Sequence, residues 1–85
     1  MNAFDETQSF FQFMETEDTL SNMDFIKQAT YWCRKYKEYA EESYQLMIHS
    51  LTYSEYEIAH RDYLVYKNRV TEIEEAAKTR DLILL

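Results

Sequence analysis

Glu57 and His60 are the two residues whose types and spacing come nearest to a chemical site. Three positions apart on a helix, a carboxylate and an imidazole share one side of it, as in carboxylate-bridged di-metal centres of helical bundles. Such a centre also needs a second copy of the pair and further carboxylates, for which Glu41 and Glu42 are candidates. Because Glu57 and His60 flank the apolar stripe of their helix, we predict a solvated pair and no metal.

No other combination of side chains in the sequence predicts catalysis. Cys33 is the only cysteine, which excludes an internal disulfide, and its apolar neighbours favour a small buried side chain over a nucleophile. His49 falls near a predicted helix end, where an imidazole suits the helix dipole more than it suits base catalysis. The chain contains no Gly and so no glycine-rich phosphate loop. We predict a cytoplasmic protein that is not an enzyme and has no cofactor.

The composition predicts an all-α fold. The 85 residues include no Gly and no Pro, so the sequence lacks the residues that the tight turns of a sheet require. Residues that favour helices, such as Glu, Lys, Gln, Ala and Leu, are plentiful. A chain of this length buries only about 60 to 65% of the surface that it exposes when unfolded, so we expect a partner to complete the core.

Two start signals and two apolar stripes predict two long helices. Ser21 and Thr52 each stand three residues before an acidic residue, the capping-box pattern, which places the helices at about residues 22–48 and 53–81. Apolar residues recur in both helices with steps of three and four, the spacing of a coiled-coil seam. The first stripe is Ile26, Ala29, Cys33, Tyr36, Ala40, Ser43 and Met47, widened by Phe25, Trp32, Tyr39 and Leu46; the second is Tyr56, Ala59, Tyr63, Tyr66, Val70, Ile73 and Ala77.

The segment between the two stripes predicts an antiparallel helical hairpin over residues 21–85. The stripes are out of phase by two residues, so one straight helix would have to rotate its apolar face near Ser50. A turn there removes the conflict and leaves helices of similar length. One long, bent helix is the alternative, because no Gly or Asn near His49 marks a helix end. Since two helices alone bury little apolar surface, we expect a homodimeric four-helix bundle.

Residues 1–20 form an N-terminal arm that combines acidic and aromatic side chains without any Lys or Arg. A short helix over about residues 3–15 is predicted, with an irregular arm as the alternative. Two roles remain open for its rings. They either fold back over the open face of the hairpin or anchor the arm in a groove of a partner, with Phe10, Phe11 and Met14 as the buried contacts.

The tyrosines and the charge together favour protein partners. Eight tyrosines fall on the two long helices, more than one seam can bury, and Tyr suits protein interfaces because it buries area while keeping a polar tip. The formal net charge is -7, and no basic face is evident, which argues against direct binding of nucleic acid or of a membrane. We predict a homo-oligomeric adaptor or regulator that uses Tyr31 and Tyr39 to bind a protein.

An acidic inhibitor is the alternative function. A small acidic protein without a catalytic set is typical of phage anti-defence proteins and DNA mimics, whose carboxylates occupy the nucleic-acid groove of an enzyme. Interspersed Arg34, Lys35 and Lys37 weaken this alternative. The carboxylates it would use, near the turn, are Glu38, Glu41, Glu42, Glu55 and Glu57.

Overall fold

The computed structural model describes residues 3–84, with side chains from residue 6 onward; residues 1, 2 and 85 lie outside this description. The described chain is all-helical and contains no strand, and its two long helices pack against each other as a hairpin, which confirms the predicted fold class. Its elements are α1 (Ala3–Thr16), a 3-10 turn (Glu17–Thr19), α2 (Asn22–Ile48) and α3 (Tyr53–Thr79).

Both long helices begin at their predicted caps. The Ser21 hydroxyl accepts a hydrogen bond from the Asp24 amide at 3.2 Å, and the Thr52 hydroxyl accepts one from the Glu55 amide at 3.1 Å. The Glu55 carboxylate reaches back to accept from the Leu51 amide at 2.9 Å. These bonds satisfy amides that have no partner within the first turn of a helix. The starts of α2 and α3 therefore follow from local sequence.

The turn between α2 and α3 forms without glycine because side chains close the end of α2. The Ser50 hydroxyl donates to the Leu46 carbonyl at 2.6 Å, and Nδ1 of His49 lies 2.8 Å from the Gln45 carbonyl. No residue of this turn has a positive φ. A left-handed glycine usually helps to satisfy the last carbonyls of a helix. In α2, hydrogen bonds from polar side chains do so instead.

The end of α3 lies two residues earlier than predicted, at Thr79. Asp81 adopts a left-handed φ of 58°, and the Leu82 amide donates to the Ala77 carbonyl at 2.9 Å while the Asp81 amide donates to Lys78 at 3.0 Å. This pattern is a Schellman motif with Asp in the position usually taken by Gly. Asp tolerates the left-handed conformation better than most residues do, so the helix stops without the expected glycine signal.

α1 packs in the groove between α2 and α3 at the end of the hairpin away from the turn. It runs antiparallel to α2: Glu6 bonds Tyr39, whereas Phe13, two turns later, contacts Phe25 at a ring-centroid distance of 5.8 Å. The described residues therefore form three helices at one end and two at the turn end. Its extents are 46 × 25 × 15 Å.

Because α1 docks beside it, the buried face of α2 differs from the stripe that the sequence predicts. The centre of the predicted stripe, from Ala29 to Ser43, is buried, but Ile26 at its start is exposed. Phe25 and Trp32, which the sequence places beside the stripe, are buried because α1 covers that side. The core cluster combines residues of all three helices: Phe10, Phe13, Phe25, Ala29, Trp32, Cys33, Tyr36, Val70, Ile73 and Ala77.

Candidate functional site

The three N-terminal residues predicted to contact a partner occupy different environments. Phe10 is fully buried, edge-on to Trp32 at 5.7 Å and to Tyr36 at 5.0 Å. Met14 is half-buried against the same core, and Phe11 is 48% exposed. The rings of α1 thus cover one face of the hairpin, the first of the two roles that the sequence left open. A partner contact through Phe10 would require α1 to leave its groove.

Basic side chains of the hairpin hold the acidic α1. The Glu6 carboxylate accepts from the Tyr39 hydroxyl at 2.8 Å and forms an ion pair of 2.9 Å with Lys35. The Arg69 guanidinium lies over the Phe11 ring, 5.3 Å from its centroid, a cation–π arrangement. One signal for these contacts is visible in the sequence: an acidic arm without Lys or Arg can pair only with cations from elsewhere.

Arg80 fixes the connection between α1 and α2 to the end of α3. Its Nη2 donates to the carbonyls of Glu17 and Leu20, the latter at 3.0 Å, and its Nη1 donates to Oδ1 of Asn22 at 2.9 Å. The guanidinium also lies 4.5 Å from the centroid of the Phe25 ring. One side chain near the C-terminal end therefore holds the segment that joins the first two helices.

We call the part of the inter-helix groove that holds α1 the filled groove; its basic rim is Lys35, Arg69 and Arg80. The same groove continues past the start of α1 to the turn, where no described part of the chain covers it. We call this continuation the open groove. It has a volume of about 290 Å³ and is lined by Leu46, His49, Ser50, Glu55, Ile58, Ala59 and Asp62.

The apolar floor of the open groove extends the floor on which α1 lies. Leu46 follows Tyr39 by seven residues on α2, and Ile58 precedes Val65 by seven on α3, so each pair shares one side of its helix. Tyr39 and Val65 line a depression together with Glu6 of α1, which locates the boundary between the two parts. Leu46 is 64% exposed and Ile58 is 60% exposed.

The rim of the open groove is acidic. Glu55 and Asp62 belong to its lining, and none of the described lining residues is Lys or Arg. Burial raises the pKa of Tyr66, and the carboxylates of Asp62 and Glu42 raise it further against the opposing effect of Arg69. Asp62 also lines the depression at the boundary of the two parts, together with Tyr66. The two parts of one groove therefore carry opposite rim charges.

The acidic residues that an inhibitor would use are not gathered on one surface. Glu38 and Glu41 border a shallow depression together with Arg34 and Lys37. Glu55 lies instead at the open groove, where it caps α3. The outer surface of α2 has mixed charge, which differs from the phosphate-like array of carboxylates that nucleic-acid mimicry requires.

The two tyrosines predicted to bind a partner lie on the α1 side of the hairpin. Tyr31 is exposed, packs edge-on against Trp32 at 4.9 Å, and accepts a hydrogen bond from Lys35 at 3.2 Å. Tyr39 is half-buried and donates to Glu6. Both tyrosines contact residues that hold α1, and Tyr31 keeps the larger free surface.

Other tyrosines form a second surface on the opposite side of the hairpin, although the sequence predicts Tyr56 and Tyr63 only as positions of the seam. Tyr44 and Tyr63 have ring centroids 6.1 Å apart and line a depression with Ala40. Tyr56 lies seven residues before Tyr63 and so on the same side of α3. We call Tyr44, Tyr56 and Tyr63 the tyrosine face.

The residues whose types suit catalysis or metal binding do not come together as a reactive site in the described part of the chain. His60 stacks on the Tyr56 ring at 5.7 Å, and Glu57 is exposed. No three His, Cys, Asp or Glu side chains of the described chain are placed to hold a metal ion. Burial raises the pKa of Cys33, which keeps its thiol protonated and unreactive.

The ion pair of Glu6 makes the docking of α1 sensitive to acid. Hydrogen bonds from Lys35 and Tyr39 hold the pKa of Glu6 below its usual value. A carboxylate with a lowered folded pKa stabilises the fold fully above its ordinary pKa of about 4.3, and this stabilisation is lost as the pH falls through the folded value. We expect α1 to loosen below about pH 4, observed as a change in Trp32 fluorescence.

Glu6→Gln tests this pH dependence. The variant should be less stable at neutral pH and should lose less stability than the parent between about pH 6 and about pH 3. Glu15→Gln, an exposed change on the same helix, serves as the control and should leave the profile unaltered. A Glu6→Gln profile identical to that of the parent would rule out the ion pair as the acid-sensitive contact.

Comparison with known proteins provides no relative from which a function could be transferred. None of the helices in residues 3–84 has the length and apolar character that crossing a membrane requires. The two parts of the groove and the tyrosine face are therefore the features from which a function can be inferred. No family model matches the chain, and no curated protein or solved structure is significantly similar to it.

Proposed function

We propose that this protein is a non-enzymatic protein-interaction module, a homodimeric adaptor or regulator that binds its partners through the turn end of the hairpin. The supporting observation is the distribution of exposed apolar side chains. The described chain has fourteen large apolar side chains that are exposed, and nine of them lie between Tyr44 and Val65. Exposed apolar side chains concentrated at one end of a small protein are typical of interaction sites.

The tyrosine face is the proposed contact between two copies. Tyr44 and Tyr56 stay 43% and 40% exposed, and α1 occupies the other side of the hairpin. Lys37, Glu41 and Lys67 border the same depression as Tyr44. Because a two-fold axis brings one patch against itself, such mixed charge allows Lys of one copy to face Glu of the other. Packing two hairpins in this way would complete the four-helix bundle that the sequence predicts.

Sedimentation equilibrium at micromolar concentration tests the dimer. We expect a dimer for the parent and at least a tenfold weaker dimer for Tyr44→Arg, since aromatic residues dominate interface energies. Tyr31→Arg changes a tyrosine outside the proposed contact that is also exposed, at 52%, and should leave the dimer intact. A stably folded parent monomer would contradict the dimer, and equal weakening by both variants would contradict the choice of face.

Site-specific photo-crosslinking in the native cell tests the partner contact. A photoreactive residue in place of Leu51, which is 91% exposed at the turn, should yield discrete adducts that differ in mass from two crosslinked copies of this chain. The same residue in place of Met23, exposed at the start of α2 and far from the turn, is the matched control. Adducts from position 23 but not from position 51 would show that the turn end is the wrong surface.

A further inference from the structure

We propose that the open groove binds a basic amphipathic helix of a partner protein. This inference rests on the proposed interaction function and adds the chemistry of the partner. The groove between α2 and α3 has one part that α1 occupies and one part that no described residue occupies. The occupied part shows what kind of helix such a groove holds.

The filled groove shows that an amphipathic helix fits between α2 and α3. α1 inserts Phe10 and Phe13 between the long helices, and both rings are buried. The open groove repeats the floor one heptad further along, with Leu46 on α2 and Ile58 on α3. From Ser43, level with the start of α1, to Ser50 it extends for about 10 Å at 1.5 Å per residue, which accommodates about two helical turns.

The rim charges identify the occupant. In the filled groove, an arm without Lys or Arg lies among Lys35, Arg69 and Arg80, so the docked helix and its rim have opposite charge. The open groove reverses the sign, with Glu55 and Asp62 in its lining. Charge complementarity sets the specificity of an interface. A helix with Lys or Arg beside its apolar stripe therefore matches this part of the groove.

Acidic segments of a second copy match the open groove poorly. Residues 1–20 of another copy carry only acidic charge and would meet Glu55 and Asp62 with like charge. The formal net charge of -7 also opposes the approach of a second chain at an acidic rim. The tyrosine face, where both charges occur, lies on the other side of the hairpin and leaves the groove free for a different protein.

Two synthetic helices of about twelve residues test the proposal against the full chain. Both carry Leu at steps of three and four; one has Lys at the remaining positions and the other has Glu. We expect the Lys peptide to shift the amide NMR resonances of Leu46, Ile58 and Asp62, and to bind at least tenfold more tightly than the Glu peptide. Its affinity should fall as the salt concentration rises from about 0.05 to about 0.5 M, because ions screen the rim charges.

Substitutions test whether the Lys peptide binds in the open groove. Ile58→Ser should weaken the Lys peptide at least tenfold, whereas Leu64→Ser, an exposed apolar residue outside the groove lining, should not. Asp62→Lys should shift the preference toward the Glu peptide. Equal binding of both peptides, binding of neither, or equal effects of Ile58→Ser and Leu64→Ser would each overturn the proposal.

A second copy of the chain is the alternative occupant, and NMR distinguishes it from a partner helix. If the resonances of Leu46 and Ile58 shift with protein concentration in the absence of peptide even in the Tyr44→Arg variant, which weakens the proposed dimer, a second copy fills the groove and the proposal is wrong. Failure of the peptide experiment is separable from failure of the proposed function. The dimer measured through Tyr44→Arg and the adducts formed at position 51 do not require a basic helix.

Discussion

Phe10→Ala should lower the free energy of unfolding by about 3 to 5 kcal/mol, the loss typical of truncating a fully buried aromatic ring. The Phe10 ring is 0% exposed and packs edge-on against Trp32 and Tyr36. Small domains are stable by only about 5 to 15 kcal/mol in total. We therefore expect α1 to detach, measured by urea unfolding followed through circular dichroism and through Trp32 fluorescence.

Phe11→Ala is the matched control for this prediction. It makes the same chemical change at the next position of the same helix, so both variants gain similarly in helix propensity. Because the Phe11 ring is 48% exposed, we expect a loss below about 1.5 kcal/mol. Similar losses in the two variants would mean that α1 does not dock through the Phe10 side, and the division into a filled and an open groove would fail with it.

The hairpin was predictable because its determinants are local. The capping patterns at Ser21 and Thr52 fix where the long helices begin, and the phase slip between the stripes requires a break between them. These signals lie within one or two helical turns of the features that they determine. The end of α3 was less predictable, since Asp81 occupies a position at which Gly is the usual marker.

The docking of α1 was not predictable because it depends on the choice between two faces of the hairpin. That choice buries Phe25 and Trp32 and exposes Ile26, although all three lie near the same apolar stripe. On α1 itself, the neighbours Phe10 and Phe11 have the same side chain, and one step of about 100° around the helix separates a core ring from a surface ring. Tertiary packing decides which of the two rings is buried, and the residue types alone do not predict it.

The third helix also changes the reason for expecting a partner. The sequence suggested a homodimer because two helices alone bury too little apolar surface. α1 supplies the missing layer at one end, where Phe10 and Phe13 join the core. At the turn end no described segment does so, and Leu46 and Ile58 stay exposed. A partner is therefore expected at the turn end alone, where the open groove and part of the tyrosine face lie.

Arg80→Met should be the most damaging change outside the apolar core, with an expected loss of about 2 to 3 kcal/mol. The variant keeps an unbranched side chain but removes the donors to the carbonyls of Glu17 and Leu20 and to Asn22. Hydrogen bonds from a charged group contribute about 1.5 to 3 kcal/mol, and carbonyls left without a partner add to the loss. Urea unfolding measures the change, and hydrogen exchange at residues 17–22 should show faster opening of that segment.

Two companion variants separate the hydrogen bonds of Arg80 from its charge. Arg80→Lys retains the positive charge but loses the planar fork of donors, so we expect it to recover only part of the stability. Lys78→Met removes an exposed positive charge from the last turn of α3 and should cost less than about 0.5 kcal/mol. If Arg80→Lys were as stable as the parent, simple charge attraction to Glu17 would explain the contact. If Arg80→Met left exchange at residues 17–22 unchanged, the connection between α1 and α2 would have to be held by the packing of Phe10 and Phe13 alone.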